Sequence, residues 1–418
     1  MIMANDTRNK DYSSPLRGGK RGAVRTIVTL PGDGIGQIVL SETLRVLDAA
    51  GFQAEYVEGD IGWEFWRKEG NPLPQRTIDL IEKHKVGLFG AITSKPKDDA
   101  ANELTPELRD KGYVYKSPIV ALRQHFNMDI CLRPCKTYKS NPLNFIYRGA
   151  DGEPVEPMVD VAVFRQNTEG LYGGVEWSNP PDIVYEALMT HPQFVKNFGK
   201  VPKEELSVST RIFTKKATER ILRAAFEHAR KYNYKSVTVC EKPNVIRETS
   251  GMMYKMAQKM QKDDFPEIEL WNTNIDAQMM WLTKNPDNYG VIVAGNMFGD
   301  IISDGFAGLI GGLGFACSAQ MSESGVALFE PTHGSAPKYA EYQTPIVNPV
   351  AMIESACMML DYLGEDAIAK KIRAAIATVI EEGKVRTYDM MKLTGRQDVI
   401  EKGAASTIQM TDAIIEKL

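Results

Sequence analysis

Two aspartates suggest a first piece of chemistry. In the stretch GNMFGDIISD, Asp300 and Asp304 stand four residues apart where an apolar run gives way to a helix pattern. On a helix this spacing sets two carboxylates about 5–6 Å apart on one face, where like charges repel. A hard cation such as Mg2+ or Mn2+, which prefers carboxylate oxygen and keeps some of its water, would balance them. A helix cap at Asp300 with Asp304 as a solvated neighbour explains the spacing equally well. Asp276, in NTNIDAQMMW, is a further acid at a strand-to-helix transition, the place where ligands gather in open α/β sheets. It is a candidate third metal ligand, although taken alone it reads as an N-cap.

Three arginines complement these acids: Arg123 in SPIVALRQ, Arg133 in CLRP and Arg165 in VFRQN. Arg133 and Arg165 end apolar strand-like runs, where an unpaired guanidinium is costly, so each by itself reads as half of an ion pair. Together with an acidic metal site they suit a small molecule with several carboxylates, each able to accept a bidentate fork. Tyr172 and Lys242 (VCEKPN) are the candidates for proton transfer. His333, in EPTHGSAPKYA, is one of five histidines, and the surrounding Gly-Ser-Ala-Pro run belongs to a loop. Base, metal ligand and part of a ligand-holding surface all remain open for it. There is no G-x-G-x-x-G after a strand, no G-x-x-x-x-G-K-[ST] and no H-E-x-x-H. PGDGIG at Pro31 reads as a tight strand-to-helix turn.

The elements that must position these residues alternate. From Val24 the order is strand TIVTLPGD, a helix to about Ala50, strand QAEYVEGD, a helix through TIDLIEKH, and strand VGLFGA. Helix SPIVALRQHF and strands MDICLRP and VDVAVFRQ follow. A stretch from Gly170 to about Lys203, rich in Pro, Gly, Asn and aromatics, breaks the rhythm like an arm. The rhythm resumes with strand LSVSTRIF, a helix from Lys215, strand SVTVCEK, a helix from Glu248, strand IELWNTNID, and YGVIVAGNMFGD leading into a Gly-rich helix. Strand GVALFEP and three amphipathic helices close the chain. This succession predicts an α/β fold on a largely parallel sheet.

Bulk composition narrows the class of partner. With 418 residues, 43% hydrophobic and 25% charged residues and a net charge of -4, the chain is neither a nucleic-acid polyelectrolyte nor an acidic tail protein. Its five cysteines (131, 135, 240, 317 and 357) lack C-x-x-C spacing and read as core thiols in a reducing, cytoplasmic setting. No apolar run approaches the ~20 residues of a membrane span. The polar, basic opening reads as a flexible tail, and Asp6 and Asp11 argue against a transit peptide.

PGDGIG, S-x-x-x-x-L-R, LRP, FRQNTEGLY, EKPN, NxxGDxxSD, EPTHGSAP and VNP occur in one order along residues 26 to 418. In this the sequence resembles the metal-dependent β-decarboxylating dehydrogenases, which include the isocitrate, homoisocitrate, 3-isopropylmalate and tartrate enzymes, and it looks most like the bacterial isocitrate members. The resemblance implies large and small α/β domains around a shared sheet, plus a clasp that joins two subunits of a homodimer. It divides the chain into a tail (1–22), large domain (23–127 and 313–418), small domain (128–169 and 213–312) and clasp (170–212).

Roles follow the same resemblance. Ser117, Arg123, Arg133 and Arg165 would hold a tricarboxylate substrate. Tyr172 would protonate the enol and Lys242 would help take the hydroxyl proton. Asp300 and Asp304 would bind Mg2+ or Mn2+ with Asp276, and Asp276 and Lys242 would come from the neighbouring subunit. His333, Gly334 and Asn348 would face the adenosine of the cofactor. Lys338, Tyr339, Tyr388 and Lys392 match an NADP site, whereas NAD-using members carry Asp-Ile where Lys338 and Tyr339 stand. Ser117 matches isocitrate enzymes, which have Asn where Ile119 stands. SPIVALR also resembles fungal homoisocitrate dehydrogenases, and the stretch from Ala91 departs from the usual lid loop. Isocitrate with NADP is the expectation and homoisocitrate with NAD the alternative. A non-catalytic regulatory paralogue is disfavoured because the Lys, Tyr and Asp positions are all filled.

Overall fold

The computed structural model describes residues 25–109, 111–149 and 151–418, so the predicted tail, residues 1–22, lies outside the described residues. Fourteen strands are formed among the described residues: β1 (Arg25–Gly32), β2 (Ala54–Glu58), β3 (Val86–Ala91), β4 (Ile130–Lys136), β5 (Tyr147–Arg148), β6 (Pro154–Val155), β7 (Asp160–Gln166), β8 (Glu176–Ser178), β9 (Ser207–Ser209), β10 (Ser236–Glu241), β11 (Glu269–Asn274), β12 (Val291–Ala294), β13 (Cys317–Met321) and β14 (Ala327–Pro331). Ten of them make one sheet in the order β11-β10-β12-β7-β4-β13-β14-β3-β1-β2.

The two wings of this sheet are parallel, as the alternating pattern predicts. Its centre is not: β7 with β4, β4 with β13, and β13 with β14 pair antiparallel. The strands β3, β10 and β12 are buried along their whole length. That is why VGLFGA, SVTVCE and VIVA read as near-continuous apolar runs: helices cover both faces. CSAQM of β13 was not foreseen as a strand, because it alternates small and polar residues over a short length.

Two further elements differ from expectation. LSVSTRIF does not rejoin the main sheet; it supplies only β9, which pairs antiparallel with β8 in a separate ribbon. A bridge between Gly170 and Ile212 closes this excursion, so it leaves and re-enters the fold at one point. Helix Val350–Leu363, expected to be amphipathic, is buried at every position except Asp361. It lies under the sheet with helix Asp366–Glu382 outside it, which explains its all-round apolar sequence. All five cysteines are free and buried, as core thiols should be.

Candidate active site

The site forms on one face of the antiparallel centre. Arg165 on β7 pairs with Cys131 of β4, and Arg133 pairs with Val163, so the two guanidiniums are diagonal neighbours on the same face. Helix Asn296–Leu309 rides directly over them because Gly299 has no side chain: a Cβ there would sit 2.8 Å from Cβ and Cγ of Arg165. This close approach delivers Asp300, Ser303 and Asp304 to the arginines. Arg133 Nη1 donates to Asp300 Oδ1 (3.1 Å), Ser303 Oγ (2.8 Å) and Asp304 Oδ1 (3.1 Å). Arg165, only 3% exposed, donates from Nη1 to Asp300 and from Nε and Nη2 to Asn296 Oδ1 (3.0 and 2.8 Å).

Arg123 extends the cluster from helix Pro118–His125. Its Nη2 donates to Glu330 Oε1 (3.2 Å), which also accepts from Gln320 Nε2 (2.7 Å). Burial lowers the proton affinity of Arg165, and the nearby charges of Arg133 and Arg123 act in the same direction. The Nε atoms of Arg123 and Arg133 are buried without a partner. Buried N–H groups left unpaired are costly, so these two point to an acceptor supplied by a ligand. Ser117 is half-buried at the N-cap of its helix, yet its hydroxyl makes no capping bond.

The helix-cap explanation of the acids does not hold. Asp300 is in the second turn, with Gly295 as the N-cap, and Asn274 rather than Asp276 is the N-cap of helix Ile275–Leu282. Asp300 and Asp304 instead share one partner atom, Arg133 Nη1. Two carboxylate oxygens facing a single point suit a hard cation, which needs oxygen donors converging in that way. Asp276 is elsewhere in the chain, bound to Lys242 Nζ, whose hydrogen bond holds the Asp276 carboxyl below its usual pKa. No group of three or more His, Cys, Asp or Glu side chains that could hold a metal forms among the described residues of one chain. Tyr172 is half exposed, with Arg165 Cζ 5.7 Å from its ring centroid.

The loop after β14 forms a second region. Ser335 carbonyl accepts from Ile35 N (2.9 Å), and its hydroxyl is 2.6 Å from Thr93 Oγ1. Asp33 in turn accepts from the backbone N–H of Trp63 (2.6 Å) and Thr93 (2.8 Å). PGDGIG is thus a turn that docks the loop, as its sequence suggests. Gly34, at φ 55°, would push a Cβ to 2.2 Å from the Ser335 carbonyl. Ala336 is held in the left-handed region at φ 35°, a strained conformation for a residue with a Cβ.

In the same loop, His333 Nδ1 lies 3.0 Å from the Gly334 carbonyl and its Nε2 is buried without a partner among the described residues. Burial lowers its pKa, so the ring is neutral at physiological pH. Asn348 donates to Asp389 Oδ2 (3.1 Å). The ring of Tyr339 packs 5.8 Å from Tyr388 and 5.7 Å from Tyr342. Lys338 and Lys392 are exposed near these phenols, Lys392 in the loop after Tyr388 with φ 56°.

The family model for isocitrate/isopropylmalate dehydrogenase matches residues 26–414. The chain belongs to this family. It is an oxidoreductase family of β-decarboxylating enzymes that act on small 3-carboxy-2-hydroxy acids and use NAD(P) with a divalent metal. Among relatives, protein DlpA of Legionella pneumophila is 37% identical over 392 residues, covering 93% of this chain. This chain spans only 58% of that relative's length. Homoisocitrate dehydrogenase of Methanocaldococcus jannaschii is 36% identical over 360 residues, covering 86% of this chain and 91% of the relative. The solved structure of isocitrate dehydrogenase from Methylococcus capsulatus aligns with a TM-score of 0.75 at 32% identity, covering 94% of this chain and 99% of that one.

The fold of the chain, a large sheet flanked by helices, is that of the family. Several polar residues of the site were missed in the sequence: Asn296, Ser303, Gln320 and Glu330 around the arginines, and Thr93, Ser335, Tyr342 and Asp389 around the loop. Asn296 and Ser303 were within reach of sequence reasoning, at i−4 and i+3 from Asp300 on the same helix face. Glu330 and Ser335 lie within EPTHGSAP, where nothing local sets them apart, and Gln320, Thr93, Tyr342 and Asp389 come from distant segments.

Proposed function

We propose that the protein oxidises isocitrate and decarboxylates it to 2-oxoglutarate, with NADP as hydride acceptor and Mg2+ or Mn2+ as metal, in a cytoplasmic homodimer whose sites draw on both chains. The observation that carries this reading is the convergence of Arg123, Arg133 and Arg165 on one sheet face, two of them with buried, uncommitted Nε atoms, beside the paired carboxylates of Asp300 and Asp304. A tricarboxylate offers one acceptor group to each guanidinium. Asp300 and Asp304 would hold the metal with the partner subunit's Asp276. A divalent cation held there would supply Lewis acidity for the oxidation at C2 and for the loss of CO2.

The protein's own groups do the remaining work. Arg133, relieved of the two aspartates, turns to a substrate carboxylate. Arg123 and Arg165 fix the carbon skeleton so that the C2–H bond faces the nicotinamide, and geometry replaces random encounter. The partner subunit's Lys242 draws off the hydroxyl proton, and Tyr172 returns a proton to C3. Division of the chain into large domain, small domain and clasp follows the segments given above. Lys338 and Lys392 would form, with the packed phenols of Tyr339 and Tyr388, a cationic, hydroxyl-rich rim suited to a 2′-phosphate. His333, Gly334 and Asn348 border the adenosine end.

One observation favours homoisocitrate as a second reading. Ile119 packs into the core, so helix Pro118–His125 offers no side-chain amide where isocitrate enzymes carry Asn. The deciding experiment measures reduction of NADP and of NAD, each with Mg2+ or Mn2+, on isocitrate, homoisocitrate, 3-isopropylmalate and tartrate. A clear kcat/KM preference for isocitrate with NADP is expected. Equal or better turnover of homoisocitrate refutes the substrate assignment, and no turnover with any pair supports the non-catalytic paralogue.

A further inference from the structure

A cavity of about 600 Å³ lies on the far side of the sheet from the arginine cluster. The two sites use alternate residues of the same strands. On β4, Leu132 and Pro134 line the cavity whereas Arg133 faces the aspartates. On β13, Cys317, Ala319 and Met321 line the cavity whereas Gln320 binds Glu330 on the front. The period-2 alternation of a strand therefore places the cavity behind the substrate site without overlap. Its volume is within the range of small-molecule pockets, and its floor is apolar, from β4, β13, Phe315, Phe329 and Met358.

The charges around the cavity are unequal. Lys136, Lys139, Lys231, Lys370 and Arg373 face Asp160, Glu354 and Asp361 across it. Arg373 binds both Glu354 (3.0 Å) and Asp361 (2.8 Å), and Lys136 binds Asp160 (2.7 Å), so every carboxylate of the lining is taken. Lys139 binds Glu381 outside the cavity. Lys231 and Lys370 are exposed at the mouth and form no ion pair among the described residues; Lys231 lies over the Tyr232 ring. Lys231 also acts by its charge on Asp361, but neither ammonium is held in an ion pair among the described residues, and an apolar floor beneath two such groups matches a molecule that is apolar at one end and anionic at the other.

We propose that this rear cavity binds an anionic amphiphile, an aliphatic or aryl body buried against β4 and β13 with a terminal carboxylate held by Lys231 and Lys370. The site is independent of the substrate and cofactor assigned above. Dodecanoate below its micellar concentration is the probe, titrated into the full-length protein by isothermal titration calorimetry. One saturable site per chain is expected, undisturbed by saturating isocitrate and NADP. Lys231→Glu with Lys370→Glu should weaken dodecanoate about tenfold or more while leaving dodecan-1-ol unchanged, since the reversal replaces attraction for the carboxylate by repulsion and leaves the apolar floor intact. Both lysines are exposed, so the fold survives the reversal. Ala377→Phe, placed on the lining to fill the cavity, should abolish binding of both probes. Displacement by isocitrate or NADP, equal binding of dodecylammonium, or affinity unchanged by the charge reversal would each overturn the proposal.

Discussion

The two site aspartates do different things to the protein, and replacing them one at a time exposes the difference. Among the described residues Asp300 is the only carboxylate bound to Arg165, whose residue is 3% exposed and whose other acceptor is the neutral Asn296. Asp300→Asn therefore leaves a buried guanidinium without its counter-charge, at a cost of about 3 kcal/mol in stability, the low end for such breaks because the Asp300 side chain is 30% exposed. Asp304 is 62% exposed and shares Arg133 Nη1 with Asp300, so Asp304→Asn should cost less than about 1 kcal/mol. Activity should not follow stability: if both acids hold the metal, both variants lose turnover and both lose the stabilisation that Mg2+ gives the parent, about 2.7 kcal/mol at a hundredfold excess over its Kd. Urea unfolding with and without Mg2+, beside the dehydrogenase assay, measures all four quantities. The reasoning fails if Asp304→Asn is destabilised as much as Asp300→Asn, or if Asp304→Asn keeps the turnover and Mg2+ response of the parent.

Three other outcomes are expected. Gly34→Ala forces a Cβ into the left-handed region and against the Ser335 carbonyl, so it should cost at least about 2 kcal/mol and raise the cofactor KM more than the substrate KM; a neutral melt would refute the docking role of the turn. Lys338→Asp should lower NADP affinity far more than NAD affinity, and an equal loss for both counts against a 2′-phosphate site. The buried His228 has its pKa pushed down to about 3, chiefly by burial, with Lys231 adding to the effect and Asp160 opposing it. Because the native pKa is depressed, its stability contribution is complete above the unfolded pKa near 6.5 and is lost as pH falls: about 2 kcal/mol between pH 7.5 and pH 5. His228→Phe should flatten that part of the pH-stability curve, and an unchanged slope would refute the assignment.

Legibility in the sequence followed locality. The parallel wings could be read because each strand there is a short apolar run followed by its own helix, a pattern contained within about thirty residues. The antiparallel centre joins β4, β7, β13 and β14, segments up to two hundred residues apart, and nothing in CSAQM says which edge it will meet. The site divides the same way. Asp300 and Asp304 announce themselves by helical spacing. Glu330 does not, because its importance arises only when β14 brings it to Arg123 and Gln320. The pairing of Lys242 with Asp276 was equally hidden: each residue stood out alone, but only the parallel register of β10 against β11 sets the two strand ends side by side. The turn reading of PGDGIG needed no partner, since two positive-φ glycines declare themselves locally.

The charges of the arginine cluster bear on how the site would fill. Three guanidiniums, Arg123, Arg133 and Arg165, meet three carboxylates, Glu330, Asp300 and Asp304, so the cluster is electrically closed as it stands. A cation approaching alone must compete with Arg133 for both aspartates, and a polyanion approaching alone must pull Arg133 and Arg165 away from them. The first exchange strands both Arg133 and Arg165 and the second strands both Asp300 and Asp304, and each buried member of these pairs costs several kcal/mol when unmatched. If cation and polyanion arrived together, the aspartates could turn to the cation and the arginines to the anion, and no charge would be stranded. On the proposed reading, this pairing would make metal and substrate depend on each other for entry, as a reaction needing both in contact requires.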